Sequence, residues 1–105
     1  MMKVFRVVLE FKENNKTFYL LGIVTTKSKQ DITIPYLIST KEVFNGIYTY
    51  HGGTIDKLIQ QGLELIGIYD VVEIGYYDEH GHYVEIQNYV SKSYKSKYEG
   101  EDKDD

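Results

Sequence analysis

A histidine stands beside two glycines and a threonine, directly before the clearest helical pattern in the chain. The residues are Tyr50, His51, Gly52, Gly53 and Thr54. The start of a helix leaves backbone N–H groups without partners and carries partial positive charge, so it attracts anions such as phosphate. Glycine lets the backbone approach a ligand closely, and imidazole donates a proton near neutral pH. The spacing predicts an anion site with His51 as the proton donor. The alternative left open is a tight loop in which Thr54 only caps the helix and His51 faces solvent.

A second group of chemically active side chains falls in one predicted turn. Asp78, Glu79, His80 and His82 surround Gly81. Histidines and carboxylates are metal ligands, but these residue types also suit a tight turn, and no further group converges on them from elsewhere in the sequence. We therefore predict a turn with no metal site, and we expect no cofactor.

The elements that must position these residues begin with a predicted antiparallel hairpin. Apolar residues alternate over 3–11 and 17–26, which indicates two strands. The asparagines of the intervening turn tolerate a positive φ. A third strand is predicted over 31–38, and it belongs at a sheet edge because Pro35 cannot donate a ladder hydrogen bond.

Two helices are predicted in the middle of the chain. The capping-box spacing at 39–42 predicts a short helix that runs to residue 44 and ends at Asn45 and Gly46. A longer amphipathic helix is predicted over 54–66, capped by Thr54 and ended at Gly67. Its apolar stripe consists of Ile55, Leu58, Ile59, Leu63 and Ile66.

A second hairpin is predicted from strands over 70–77 and 82–89. The fold class that follows is α+β: a mainly antiparallel sheet of about five strands, made of two hairpins plus an edge strand, carrying one amphipathic helix and one short helix. Residues 1–90 form one domain in this prediction. Residues 91–105 form a flexible tail, first rich in lysine and tyrosine and then acidic.

Composition excludes several classes of protein. The 105 residues include no cysteine, which excludes disulfides and thiolate metal sites. No apolar run approaches the roughly 20 residues that span a bilayer, and we expect a soluble, cytoplasmic protein that does not bind a membrane. The net charge of -4 comes from the acidic end of the chain, so the body lacks the basic surface of a duplex-DNA-binding protein. Tyrosines gather in the second hairpin and tail, where strand packing and an interface both explain them.

Three short stretches together resemble a known family. They are Asn45-Gly46-Ile47, then 51–55 with Leu58, then 72–74. They resemble the viral ring nucleases, type III anti-CRISPR proteins of archaeal viruses, whose motif Asn-Ala-Ile-Gly-His-x-x-Thr opens a helix and precedes a Val-Glu-Val/Ile strand. Tyr50 replaces the glycine of that motif, and 88–92 lacks the arginine and glutamate of the family's site.

The resemblance implies an α+β dimer that binds cyclic tetra-adenylate across its two-fold axis. It implies metal-independent cleavage, in which a ribose 2′-hydroxyl attacks the adjacent phosphate. By position, His51 would be the general acid and Thr54 would face the phosphate at the helix start.

Because the family's site is incomplete here, we expect a non-enzymatic interaction protein. The specific prediction is a viral anti-defence inhibitor that binds a host protein complex in the host cytoplasm. The alternative is a metal-independent ring nuclease, or a sponge, for a cyclic oligoadenylate. In that case His51 is catalytic, and the ligand-binding residues are Tyr50, Gly52, Gly53 and Thr54. A homodimer is left open.

Overall fold

The computed structural model describes residues 1–86, which form six strands and two short helices. The predicted strand end over 87–89 and the predicted tail over 91–105 lie outside the described residues. The strands are β1 (Lys3–Glu13), β2 (Lys16–Thr26), β3 (Val43–Gly46), β4 (Gly52–Thr54), β5 (Glu64–Tyr77) and β6 (Tyr83–Glu85). The helices are α1 (Ile34–Ser39) and α2 (Ile55–Gln60), and a single 3-10 turn covers Lys29–Asp31. Neither helix is long enough to cross a membrane.

All six strands belong to one sheet in the order β4-β3-β2-β1-β5-β6, and each neighbouring pair is antiparallel. The predicted α+β class with a mainly antiparallel sheet is confirmed, with six strands where about five were expected. β1 lies in the middle and pairs with β2 and β5 along almost its whole length. Every other element is therefore placed relative to β1.

The predicted first hairpin is confirmed. β1 and β2 pair without a register shift from Lys3 opposite Thr26 to Glu13 opposite Lys16. Asn14 and Asn15 both have positive φ, 52° and 67°. Two such residues form the tight turn whose twist matches that of the flanking strands.

The core lies between one face of this sheet and the two helices. Alternation puts every second residue of β1 and β2 on the same face. α1 and α2 cover that face with buried leucine and isoleucine side chains. The main members are Phe5, Val7, Leu9, Phe11, Leu20, Val24, Leu37, Phe44, Ile55 and Leu58.

The predicted edge strand over 31–38 is wrong, because most of this segment is helix α1. Thr33 is the N-cap, and its hydroxyl accepts a hydrogen bond from the Tyr36 N–H at 3.3 Å. Pro35 lies in the first turn, where a missing N–H costs nothing because that donor has no intrahelical partner. The alternation of apolar residues at even positions over 32–38 suggested a strand face. The fully buried residue of α1 is instead Leu37, at an odd position.

The short helix predicted from 39–42 is also wrong. α1 ends here: the Glu42 N–H donates to the Leu37 carbonyl, and Lys41 has a φ of 55°. The following residues, Val43–Gly46, form β3 between β2 and β4. Burial of Phe44 on the core face favours this extended conformation over a helix.

The amphipathic helix begins where predicted and ends earlier. Thr54 is its N-cap and accepts from the Lys57 N–H at 3.4 Å. α2 stops at Gln60, because Gly62 takes a φ of 100° and turns the chain into β5. Gly62 is thus the left-handed terminator predicted at Gly67. Leu63 still reaches the core, but Ile66 is a strand residue and is 46% exposed.

β5 is the longest strand, and its register against β1 shifts three times. Each shift leaves one additional residue on β5, namely Ile66, Tyr69 and Ile74. β6 then pairs with the end of β5, opposite Gly75–Tyr77. The connecting turn is confirmed: the Asp78 carboxylate accepts from the N–H groups of His80 and His82, and Gly81 has a φ of 80°.

Gly22 gives the first testable prediction. A Cβ on Gly22 would lie 2.7 Å from the Phe44 ring and 2.9 Å from the Val43 carbonyl oxygen. We expect Gly22→Ala to lower the free energy of unfolding by about 1–3 kcal/mol, as overpacked cores do. Urea denaturation measures this loss. Adding Phe44→Leu should recover part of it; strictly additive losses in the double variant would contradict the contact.

Candidate functional site

The connection between β3 and β4 presents two tyrosines to solvent. Residues 47–50, called the tyrosine loop below, are anchored at both ends by backbone hydrogen bonds. The Gly46 N–H donates to the His51 carbonyl at 2.8 Å, and the Ile47 N–H donates to the Tyr19 carbonyl at 3.0 Å. Tyr48 and Tyr50 are 80% and 98% exposed. The loop therefore holds two aromatic side chains outward from a fixed base.

The conformation of Tyr48 is unusual for an aromatic residue. Its φ is 66°, in the left-handed region that bulky residues seldom adopt. Such a conformation costs of order 1–3 kcal/mol and persists only where the surroundings impose it. The anchored ends of the tyrosine loop supply that constraint.

His51 points back toward the first hairpin. Its ring meets Phe18 edge to face, with centroids 5.0 Å apart and planes at 75°. Its Nε2 lies 3.7 Å from the Glu13 Oε1. Glu13 and Phe18 reach it because they lie at the end of β1 and the start of β2, on the side of the sheet that also carries the core. The His51 side chain is thus mostly buried, and its contacts with Phe18 and Glu13 set its orientation.

A pocket of about 520 Å³ opens between the tyrosine loop and the β1–β2 turn. The aromatic part of its lining is Tyr48, Tyr50 and Phe18. The polar part includes Glu13, Lys16 and His51. The pocket therefore offers flat apolar surfaces beside groups of both charges, a combination typical of binding sites.

The predicted ligand-binding residues do not form one group. Gly52, Gly53 and Thr54 are β4, the edge strand paired with Asn45, Phe44 and Val43. Three residues of extended chain span about 10 Å, so His51 and Thr54 lie at opposite ends of β4.

Tyr50 is brought close to His51, with ring centroids 5.8 Å apart. Thr54 instead lines a separate pocket of about 420 Å³ between α1 and α2, with Lys41 and Lys57. His51 is therefore separated from the start of α2 by the three residues of β4.

The two glycines nevertheless have a structural reason. Gly53 has a φ of 140°, which other residues rarely adopt. A Cβ on Gly52 would lie 2.9 Å from the Asn45 amide oxygen. Both positions thus let the edge strand approach β3 and turn directly into α2.

The histidines of the second hairpin lie far from this pocket in the fold. The side chains of His80 and His82 are 73% and 78% exposed at the β5–β6 turn. Among the residues that the structure describes, no group of three or more histidines and carboxylates is arranged to hold a metal ion.

The sequence patterns missed Glu13, Lys16 and Phe18 as site residues. They belong to a predicted hairpin, but their proximity to His51 depends on β3 lying beside β2. Because residues 40–44 were predicted as helix, β3 was missing from the predicted sheet. No local pattern then linked His51 to the β1–β2 hairpin.

Comparison with known proteins adds no relative. No protein-family model, no curated protein and no solved structure matches this chain. The resemblance to viral ring nucleases stays a prediction carried by the residues quoted for it.

The backbone at Gly53 leads to a prediction about His51. We expect Gly53→Ala to destabilise the fold by about 1–3 kcal/mol, because alanine is strained at this φ. It should also shift the imidazole NMR signals of His51, since β4 holds that residue against Phe18. Gly81→Ala is the matched control, being strained at a φ of 80° but remote from the pocket. Equal shifts of the His51 signals in both variants would contradict this role of β4.

Proposed function

We propose that this protein is a small interaction module that binds a protein partner through the tyrosine loop and the adjoining pocket. The observation that carries the proposal is the exposure of Tyr48 and Tyr50 on an anchored loop. Tyrosine supplies a large apolar surface together with a hydroxyl, and it is enriched where proteins bind each other.

The energetics of the loop support the same function. Tyr48 has a positive φ, and Tyr50 is almost fully exposed. Neither residue belongs to the hydrophobic core. A loop that is held in place before binding loses little conformational entropy on binding, which favours affinity. Glu13 and Lys16 at the pocket add charged groups that can select the orientation of a partner.

The finer proposal concerns the partner. The resemblance to type III anti-CRISPR proteins supports a viral anti-defence role, in which the partner is a host protein complex in the host cytoplasm. The departures at Tyr50 and at 88–92 favour inhibition by binding over catalysis.

The test compares two exposed tyrosines on different faces of the molecule. Tagged wild type, Tyr50→Ala and Tyr77→Ala are used to enrich proteins from the native host, followed by quantitative mass spectrometry. Tyr77 is 40% exposed at the end of β5 and serves as the matched control. We expect one protein complex to be enriched by wild type and Tyr77→Ala but reduced at least tenfold by Tyr50→Ala, as for an interface hot spot. Equal recovery with Tyr50→Ala would rule out the loop.

A second candidate function has one specific observation in its favour. His51 lines a pocket with exposed aromatic rings and with Lys16. Aromatic faces stack on nucleobases and lysine pairs with phosphate, so a cyclic oligoadenylate is the alternative ligand. Here the ribose 2′-hydroxyl would lose its proton to water as its oxygen bonds to phosphorus and the bond from phosphorus to the 5′ oxygen breaks. His51 would donate a proton to that leaving 5′ oxygen.

This candidate is tested with labelled cyclic tetra-adenylate in EDTA. A ring nuclease should produce linear products, and His51→Ala should slow cleavage by 10²–10⁴-fold, the usual contribution of a general acid. Lys57→Ala, which alters the other pocket, should leave the rate unchanged. Binding without products would indicate a sponge. Absence of both binding and cleavage at stoichiometric protein would end the candidate.

A further inference from the structure

Glu13 carries a carboxylate that the fold holds in place at the pocket beside the tyrosine loop. Its side chain is 33% exposed, and its Oε1 lies 3.7 Å from the His51 Nε2. Its Oε2 faces the turn after α2, where a Cβ on Gly62 would lie 3.6 Å away. The carboxylate thus lies between two other parts of the fold, and it lines the pocket that a ligand would enter.

This carboxylate has unused capacity to accept hydrogen bonds. The 3.7 Å separation from His51 is longer than a hydrogen bond. Within the described part of the chain, no N–H or O–H group donates to either oxygen of Glu13. An ionised carboxylate can accept several hydrogen bonds, and it forms its strongest ones with cationic donors. Glu13 therefore offers two acceptor oxygens to a ligand in the pocket.

Burial decides which charge of the pocket a ligand meets most strongly. Lys16 also lines the pocket, but it is an exposed residue, so water and salt screen its charge. About two-thirds of the Glu13 side chain is covered, and partly buried charges are screened much less. The pocket therefore favours a cationic ligand over an anionic one.

Aromatic rings stand beside the carboxylate. Phe18 and Tyr50 line the same pocket, and their ring centroids lie 5.0 Å and 5.8 Å from that of His51. A guanidinium is planar, so it stacks on aromatic faces, and its fork of N–H groups pairs with both oxygens of a carboxylate. A lysine ammonium is a compact, strongly hydrated charge that lacks this fork. The pocket therefore suits arginine better than lysine.

We propose that the pocket takes an arginine side chain of the protein partner. The guanidinium donates to both oxygens of Glu13 and packs against the aromatic rings of Phe18 and Tyr50. Arginine and tyrosine are among the residues that contribute most to protein interfaces, which agrees with a paired arrangement here. The inference rests on the proposed function, and it adds the chemistry by which the partner is recognised.

The test titrates the full chain with N-acetyl-arginine amide and follows the imidazole NMR signals of His51. We expect saturable shifts at millimolar concentration, because a single side chain binds weakly. N-acetyl-citrulline amide has nearly the same shape without the charge and should bind about tenfold more weakly. N-acetyl-lysine amide should bind about threefold more weakly, because it lacks the planar fork. Equal binding of either comparison compound would overturn the assignment of arginine.

The matched variants are Glu13→Gln and Glu10→Gln. Both glutamates belong to β1, but Glu10 lies on the opposite face of the sheet. Glu13→Gln should weaken the binding of the arginine compound about tenfold, whereas Glu10→Gln should leave it unchanged. Unchanged binding in Glu13→Gln would contradict the proposal. Tighter binding of N-acetyl-glutamate amide than of the arginine compound would show that Lys16 sets the charge preference, which would also overturn it.

Failure of this inference and failure of the proposed function give different results. The titration contains no partner protein, so it tests the pocket alone and not the capture of a partner by the tyrosine loop. In the capture experiment with host proteins, Glu13→Gln should reduce recovery about tenfold relative to Glu10→Gln. Full recovery with Glu13→Gln, together with loss in Tyr50→Ala, would retain the loop and exclude the arginine. The comparison of arginine with citrulline uses the wild-type chain, so it decides the question even if a variant fails to fold.

Discussion

The pairing of β1 with two long neighbours is the interaction on which the rest of the structure depends. β1 is joined to β2 on one side and to β5 on the other, from Lys3 to Lys12 or beyond. Its core-facing side chains are almost fully buried, and on the opposite face Val4 and Val8 are buried as well. A strand that is paired along both edges and buried on its core face has little freedom to move, so it serves as the fixed reference for the helices and the loops.

The pocket beside His51 is held in place by the pairing of β1 with β2. Glu13 is the last residue of β1, Phe18 is near the start of β2, and the tyrosine loop is tied to Tyr19 through a backbone hydrogen bond. Two parts of the chain that are distant in sequence, the β1–β2 hairpin and the tyrosine loop, therefore meet at one end of the sheet. Such placement of polar and aromatic groups by strands, with a short loop at the rim, is how rigid scaffolds commonly carry binding surfaces.

Local sequence patterns were sufficient for about half of this architecture. The first hairpin, both turns with positive φ, the cap at Thr54 and the α+β class followed from alternation and turn chemistry. The segment 31–46 was assigned the wrong way round, with α1 predicted as strand and β3 as helix. Pro35 is compatible with both an edge strand and a first helical turn, and only the burial of Leu37 and Phe44 decides between them. Burial depends on partners elsewhere in the chain. Because β3 was predicted as helix, the sequence analysis did not bring His51 near Glu13 and Phe18 and instead predicted it at the start of α2.

The additional residues of β5 have a consequence for how this chain can change in length. Ile66, Tyr69 and Ile74 have no partner position on β1, and the residues on either side keep their register. Removing one of them would straighten the strand locally without turning the core-facing residues outward, whereas removing any other residue of β5 would reverse the facing of those that follow. A single-residue deletion at one of these three points would therefore keep the facing of the core residues of β5. At Tyr69 it would remove the ring contact with Tyr19, and at Ile74 it would remove the carbonyl that accepts from the Ile86 N–H.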